Sequence, residues 1–407
     1  MLSTAGILPP VAARSVATAE SESARLQGPS PGALRVLAVV GSLWLGGGEA
    51  QVARVAVAIR KFGVDMEVCA LERAGPHLKD LEESGIVVHG TPYPTRTHRS
   101  DTMTLLRTVN TIRRIVRAGQ FDVVHTHLFW ADVLGVAGAR LAGCPRVIVS
   151  RLSLHGWAHG PQAGFHWLEQ LSNMFANELI ANSDSVMVSA ERHERFLPAR
   201  RTVIRSGVEF GRYSQARLGL KGPLRMIHVG ALEPRKGQEY AIEAVALLRD
   251  AGVQTTLTLV GSGSDEAMLR QKVADTGLDE VVTFAGPQAD PRGLLTAADL
   301  FVFPSRQEGF AIALLEAMAH GLAVVATAVG GNSEALVDGK GGRLVPPQDA
   351  PALAAAIAEL ARDRSKLAEM GRFNRERVAQ EFSLEATVRQ LAEWYLSGPS
   401  RPHPVAG

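Results

Sequence analysis

Apolar residues in this chain of 407 gather in short, nearly unbroken runs, separated by stretches of helical period. "ALRVLAVV" (33–40) has a single polar position, the pattern of a parallel strand buried on both faces. The glycine-rich "GSLWLGGGE" follows. "AQVARVAVAIRKFG" then shows helical spacing with Gly63 as its stop, and "DMEVCALE" returns to strand. Strand, loop, helix, strand is a βαβ unit. A helix is predicted over 102–118. Short strands are predicted at "FDVVHTH" (121–127), "PRVIVSR" (145–151), "NELIANS" (177–183) and "RTVIRSGV" (201–208).

The alternation restarts at "LRMIHVGAL" (224–232). "YAIEAVALLRDAG" is helical and ends at Gly252, and "QTTLTLVGSGS" runs from strand into a glycine loop. "VVTFAG", "DLFVFPS" and "LAVVATAVGG" complete a second parallel series. The pattern is two doubly wound α/β halves joined near 205–222, where "RLGLKGP" reads as a linker. A last helical stretch, 384–396, follows the second set of strands and is expected to pack back on the first half. The expected division is a tail (1–32), a first domain (33–205), a second (206–382), the returning helix (383–397) and a tail (398–407).

Length and composition agree with two α/β cores: 46% of residues are apolar and 5% aromatic. A net charge of +2 argues against a dedicated nucleic-acid binder. Residues 1–206 hold 22 basic against 17 acidic side chains, a mild bias toward anionic partners. Cys69 and Cys144 form neither a zinc spacing nor a disulfide framework, which suits buried thiols in a reducing compartment. Pro9 and Pro10 interrupt the only candidate leader, and no run approaches the ~18–20 apolar residues of a membrane span. Gly46, Gly47 and Gly48 lack the third glycine of a dinucleotide fingerprint, and there is no P-loop.

The candidate chemistry collects at strand ends. "DLFVFPSRQEG" puts Glu308 at a strand's carboxyl end, where open α/β sheets bind ligands. The helix expected from about Gly309–Ile312 turns unpartnered N–H groups toward the same crevice, an anion seat, and Glu316 lies a turn further in. Carboxylates accept hydrogen bonds from hydroxyls, so two acids around an anion seat suit a diphosphate flanked by polyols. "GALEPRKG" sets Arg235 and Lys236 at another helix start, where cations oppose the dipole unless an anion rests between. "GGGE" gives the first half a turn that a ligand can approach closely. "HTH" (His125–His127) ends a strand at the same rim, but the rest of a metal-ligand set is missing nearby.

Together these segments resemble the retaining, nucleotide-sugar-dependent glycosyltransferases of family 4, of GT-B fold, in which two Rossmann-like domains face each other across a cleft. The resemblance runs from about Leu34 to Leu396. It rests on "PSRQEGFAIALLEAMAHGLAVVATAVGGNSEALVDGKGG", with "GGGEAQ", "FDVVHTH", "IANS", "VIRSGVEF" and "VGALEPRKG". It implies that Glu308 holds hydroxyls of the transferred sugar and Glu316 the ribose. Lys236 would neutralise the departing diphosphate. Backbone groups of Gly309, Phe310, Ala311 and Ile312 would cradle phosphate and sugar, with Gly46 and Gly47 approaching from the other domain. Gly261 and Gly286 would lie on loops lining the base. It also implies a cytoplasmic hexosyltransferase of polysaccharide or cell-envelope synthesis that needs no metal and no cofactor besides the nucleotide-sugar donor.

This sequence departs from the family at two places. Ala231 stands where an Arg is usual, and Arg235 lies at another helical angle. The histidine that commonly follows the strand matching "RVIVSR" is absent, leaving Arg151 or His155 as candidates, beside His127, for the cleft or the acceptor. Two rival readings stay open: a catalytically silent sugar-nucleotide binder, and a GT-B epimerase or phosphorylase. The acceptor is read no further than a hydroxyl on a glycan, a lipid-linked sugar or a small molecule. Residues 96–117 combine Met103, Leu106, Val109 and Ile112 with Arg107, Arg113, Arg114 and Arg117, the pattern of a surface helix packing on the sheet or of one that lies peripherally on an anionic membrane.

Overall fold

A computed structural model describes residues 32–44, 46–93, 101–154, 166–216, 218–219 and 221–398. The terminal tails and His155 lie outside the described residues. The first lobe is a seven-stranded parallel sheet of order β3-β2-β1-β4-β5-β6-β7. Its strands are β1 (Leu34–Val40), β2 (Val64–Ala70), β3 (Val88–Gly90), β4 (Val123–His127), β5 (Arg146–Arg151), β6 (Glu178–Ala181) and β7 (Arg200–Val203). Helices α1 (Gly47–Ala58), α2 (His77–Glu83), α3 (Thr102–Gly119), α4 (Phe129–Leu141), α5 (His166–Phe175) and α6 (Asp184–His193) cover its faces.

Period-two alternation along β1 feeds two cores at once. Val36, Ala38 and Val40 join one, while Leu37 and Val39 join the other. That is why residues 36–40 had to be apolar throughout. Gly63, in the left-handed region at φ 76°, ends the first crossover helix as its sequence predicts. Asp101 and Ser183 cap α3 and α6 through bonds to Thr104 N and Val186 N.

The second lobe is a six-stranded parallel sheet of order β10-β9-β8-β11-β12-β13. It contains β8 (Leu224–Val229), β9 (Thr255–Val260), β10 (Val282–Gly286), β11 (Leu300–Phe303), β12 (Ala323–Thr327) and β13 (Gly342–Val345). Its helices are α7 (Gln238–Asp250), α8 (Glu266–Asp275), α9 (Arg292–Ala297), α10 (Ile312–Ala319), α11 (Asn332–Ala335), α12 (Ala350–Arg362) and α13 (Arg364–Glu381). Both sheets are doubly wound, so their carboxyl edges carry the loops of interest.

The chain crosses back at the end. In α14 (Leu384–Leu396), Leu384, Val388, Leu391, Ala392 and Tyr395 complete the first lobe's core. The two crossings are stapled together: Val208 N donates to Phe382 O and Leu384 N to Val208 O, each at 2.9 Å. Across the cleft, Glu334 accepts from Asp184 N at 3.1 Å and Ser185 N at 2.8 Å, so a second-lobe carboxylate caps α6.

The short edge strands β3 and β13 escaped the sequence pattern, and the apolar side of α3 is divided. Thr108, Ile112 and Val116 are buried, whereas Met103 and Leu106 are 54% and 59% exposed. Both cysteines are buried free thiols, and burial pushes Cys69 up to about 12.

Candidate active site

Lys236 and Glu308 come from different βα turns of the second sheet and meet as an ion pair. Lys236 lies in the single turn Pro234–Lys236 after β8, and Glu308 follows β11. Lys236 Nζ donates to Glu308 Oε1 at 2.5 Å, and Ser305 Oγ donates to the same oxygen at 2.8 Å. Glu308 is 6% exposed. The ammonium also stands 5.2 Å from the Phe303 ring centroid. Beneath it, His228 shares a hydrogen bond with Val302 O at 3.0 Å, and burial drives its imidazole down to about 4, so it stays neutral.

Beside this pair α10 begins at Ile312 with Ala311 as an extended cap and no side-chain cap bond. Its first N–H groups are therefore free of side-chain partners at the cap and able to meet an anion. Gly309 allows the lobes to close: a Cβ there would lie 2.1 Å from Leu152 O of the first lobe.

A cavity of about 740 Å³ runs from Lys236 and Glu308 into the first lobe. Of the residues singled out by sequence, it is lined by Gly46, Gly47, His127, Arg235, Lys236, Glu308, Gly309, Phe310, Ala311 and Ile312. Gly48, Glu49, His125 and Ala231 border it too, whereas Glu316, Arg151, Gly261 and Gly286 do not. Arg235 is half exposed and turned toward Glu233, 2.9 Å away, so its charge does not replace an Arg at position 231. Gly261 and Gly286 bond to each other, N–H to carbonyl at 2.9 Å, off the cavity wall.

Glu316 sits in the second turn of α10 and is already engaged. It accepts from Arg54 of α1 at 2.9 Å and from Tyr213 Oη at 3.2 Å. Arg151 points away from the cavity into a buried cluster. It bonds Glu194 at 2.9 Å, Asp132 at 2.8 Å and Asn173 at 2.6 Å, with Glu169 3.5 Å away. Burial, against the pull of Arg151, pushes Asp132 up to about 7. Arg151 therefore braces the first lobe's loops and does not reach the cleft.

The histidines are neutral as well. His125 is bound on both sides, to Tyr395 Oη at 2.6 Å and Ser150 Oγ at 2.7 Å. Burial takes His127 down to about 3. Glu49, in the first turn of α1, folds back over Gly46, where a Cβ would meet its Oε2 at 2.2 Å; burial raises its carboxyl.

Sequence reasoning missed Arg54, Tyr213, Gln51, Asn182 and Tyr395. Asn182, inside "IANS", and Gln51, ending "GGGEAQ", carried a signal. Arg54 and Tyr395 sit on helix faces that read as ordinary amphipathic positions, and Tyr213 follows the single turn Phe210–Arg212.

Comparison with known proteins fits this layout. Residues 46–207 match the glycosyl transferase 4-like domain and 213–377 match glycosyl transferases group 1, so the two models divide at the lobe junction. Glycogen synthase of Mycobacterium tuberculosis is 30% identical over 307 residues, 71% of this chain and 72% of that protein. The chain belongs to the group 1 glycosyltransferases. This glycosyltransferase is also 38% identical over 205 residues to the putative colanic acid biosynthesis glycosyltransferase WcaL of Salmonella typhimurium, a match spanning half of that protein's length. The Anabaena HepE structure in complex with UDP superposes with a TM-score of 0.75 at 25% identity, covering 90% of this chain and all of that one. It carries the same GT-B fold. Among the described residues no helix is long and apolar enough to cross a membrane.

Proposed function

We propose that this protein transfers a sugar from a nucleotide-diphosphate donor to an acceptor hydroxyl and keeps the anomeric configuration, in the manner of family 4. One observation carries the reading: Lys236 and Glu308, paired at 2.5 Å, border a cavity between the lobes beside the free start of α10. The diphosphate rests against Lys236 and the N–H groups of Phe310–Ile312. The sugar hydroxyls meet Glu308. The ribose bonds to Glu316 once Arg54 and Tyr213 give way.

As the bond between anomeric carbon and phosphate oxygen breaks, its electron pair goes to the diphosphate, where the ammonium and helix start stabilise the charge. The acceptor oxygen attacks on the face the diphosphate leaves. Its proton passes to the departing phosphate oxygen. Closure over the cavity keeps water from competing.

No cofactor besides the donor takes part in this scheme. HepE's complexes with UDP and UDP-glucose make uridine donors the first to test. Incubation with radiolabelled UDP-, GDP- and ADP-sugars and a mixed acceptor panel is expected to give transfer from one donor class. Donor binding without turnover would favour the silent binder, a reading supported by Ala231 and by Arg235 turning to Glu233. Peripheral attachment to an anionic membrane is the companion proposal, supported by the exposed Met103, Leu106, Arg107, Arg114 and Arg117 on α3.

A further inference from the structure

The cavity is deeper than a donor site requires. It continues into the first lobe, between the sheet and the inner faces of α1 and α14. Its floor can be followed by register. His127 pairs with Val40 and Met66 with Val36, so Met66 lies four residues below the rim, about 13 Å along the strands.

Polarity changes along that length. Near the mouth, Gln51, His127 and Asn182 line the wall and carry buried polar atoms without a hydrogen-bond partner: Gln51 Oε1 and Nε2, His127 Nδ1 and Asn182 Oδ1. Unpaired buried polar atoms are costly, and hydroxyl groups would satisfy them. Further in, the wall is Val52, Val55, Met66 and Leu391. His125, Ser150 and Tyr395 also border it, but their polar atoms are spent on one another, so they offer little to a polar ligand. No Lys or Arg side chain of the first lobe lines the cavity among the described residues, and Glu49 is that lobe's one acidic side chain there.

We infer that this slot is an acceptor subsite selecting an uncharged sugar with a short apolar tail, its hydroxyls at Gln51, His127 and Asn182 and its tail between Met66, Val55 and Leu391. Phosphorylated or carboxylated acceptors find no cation of the described first-lobe residues there. The inference rests on the transfer reading above for its role, but its binding test needs no turnover.

Methyl, butyl, hexyl and octyl glucosides, below micellar concentration, are titrated calorimetrically into the protein saturated with UDP. Affinity is expected to rise about fourfold per methylene until the slot fills, since each buried methylene contributes about 0.8 kcal/mol. Glucose 6-phosphate is expected not to bind measurably. Leu391→Trp, which fills the deep end, should abolish the octyl preference while UDP still raises the melting temperature. Met66→Ala, which enlarges it, should extend the rise to longer tails. Affinity independent of tail length in protein that binds UDP overturns the slot, as does preference for the phosphorylated sugar. Tail-dependent binding without any sugar transfer supports the slot and sinks the transferase reading.

Discussion

Lys236 and His127 mark what separates the two lobes. Each lies at or just beyond the carboxyl end of a central strand, and each lines the shared cavity. The second lobe places a charged pair there, Lys236 with Glu308, next to a helix start. The first lobe offers neutral groups: His127 held near 3 by burial, His125 bonded on both nitrogens, and apolar side chains from α1 and α14. Arg151 is directed inward into its carboxylate cluster, and Arg54 is spent on Glu316 across the lobes. The lesson is a division of labour. In the proposed scheme one lobe stabilises developing charge, and the other receives an uncharged partner and keeps water out.

The largest expected effect is on the charged side. Lys236→Ala should lower kcat about 100- to 1,000-fold, by comparison with the loss of an oxyanion-stabilising donor. Steady-state assays on protein with an unchanged melting temperature check it. An equal loss from His127→Asn would break the comparison, because that side chain bears no charge.

Next comes stability. Arg151→Met leaves three buried carboxylates without their guanidinium and should cost about 3–5 kcal/mol in chemical denaturation. Third, Glu316→Ala should weaken UDP binding roughly 10- to 100-fold, with kcat at saturating donor little changed, since a hydrogen bond to a charged group is worth about 1.5–3 kcal/mol.

The smallest effect is on pH dependence. His127 and His228 are depressed to about 3 and about 4 in the fold, against 6.5 unfolded. The unfolded chain therefore takes up protons that the folded one refuses. Their contribution is complete above pH 6.5 and is lost as pH falls through the folded values. The melting temperature should drop between pH 7 and 5, and His127→Asn should flatten that drop.

The same contrast explains what could be read from the amino acids. Glu308, Gly309 and Ile312 stand in one continuous segment, with Lys236 in another, so strand ends and helix starts pointed to the charged half of the site, while the roles came from the family resemblance. The parallel strands were legible too, because burial on both faces demands apolar runs such as 36–40. The neutral slot was not. Gln51, Met66, His125 and Leu391 come from four distant segments; Met66 and Leu391 look like ordinary core, and only the sheet order brings them to the noticed "GGGEAQ" and "HTH". Arg151 misled for a related reason. A cation after a strand resembles a ligand contact, and only the fold reveals Asp132, Glu169 and Glu194 around it. Glu316 was found, but Arg54, from the opposite lobe, was invisible as its partner.

The stapled crossing at Val208 and Ser383 has a consequence for how the protein is made. The first lobe's core is incomplete without Val388, Leu391 and Tyr395, whereas the second lobe's cores are furnished by residue 382. The first lobe therefore keeps a bare apolar flank, however early its own strands are made, until α14 is available to cover it.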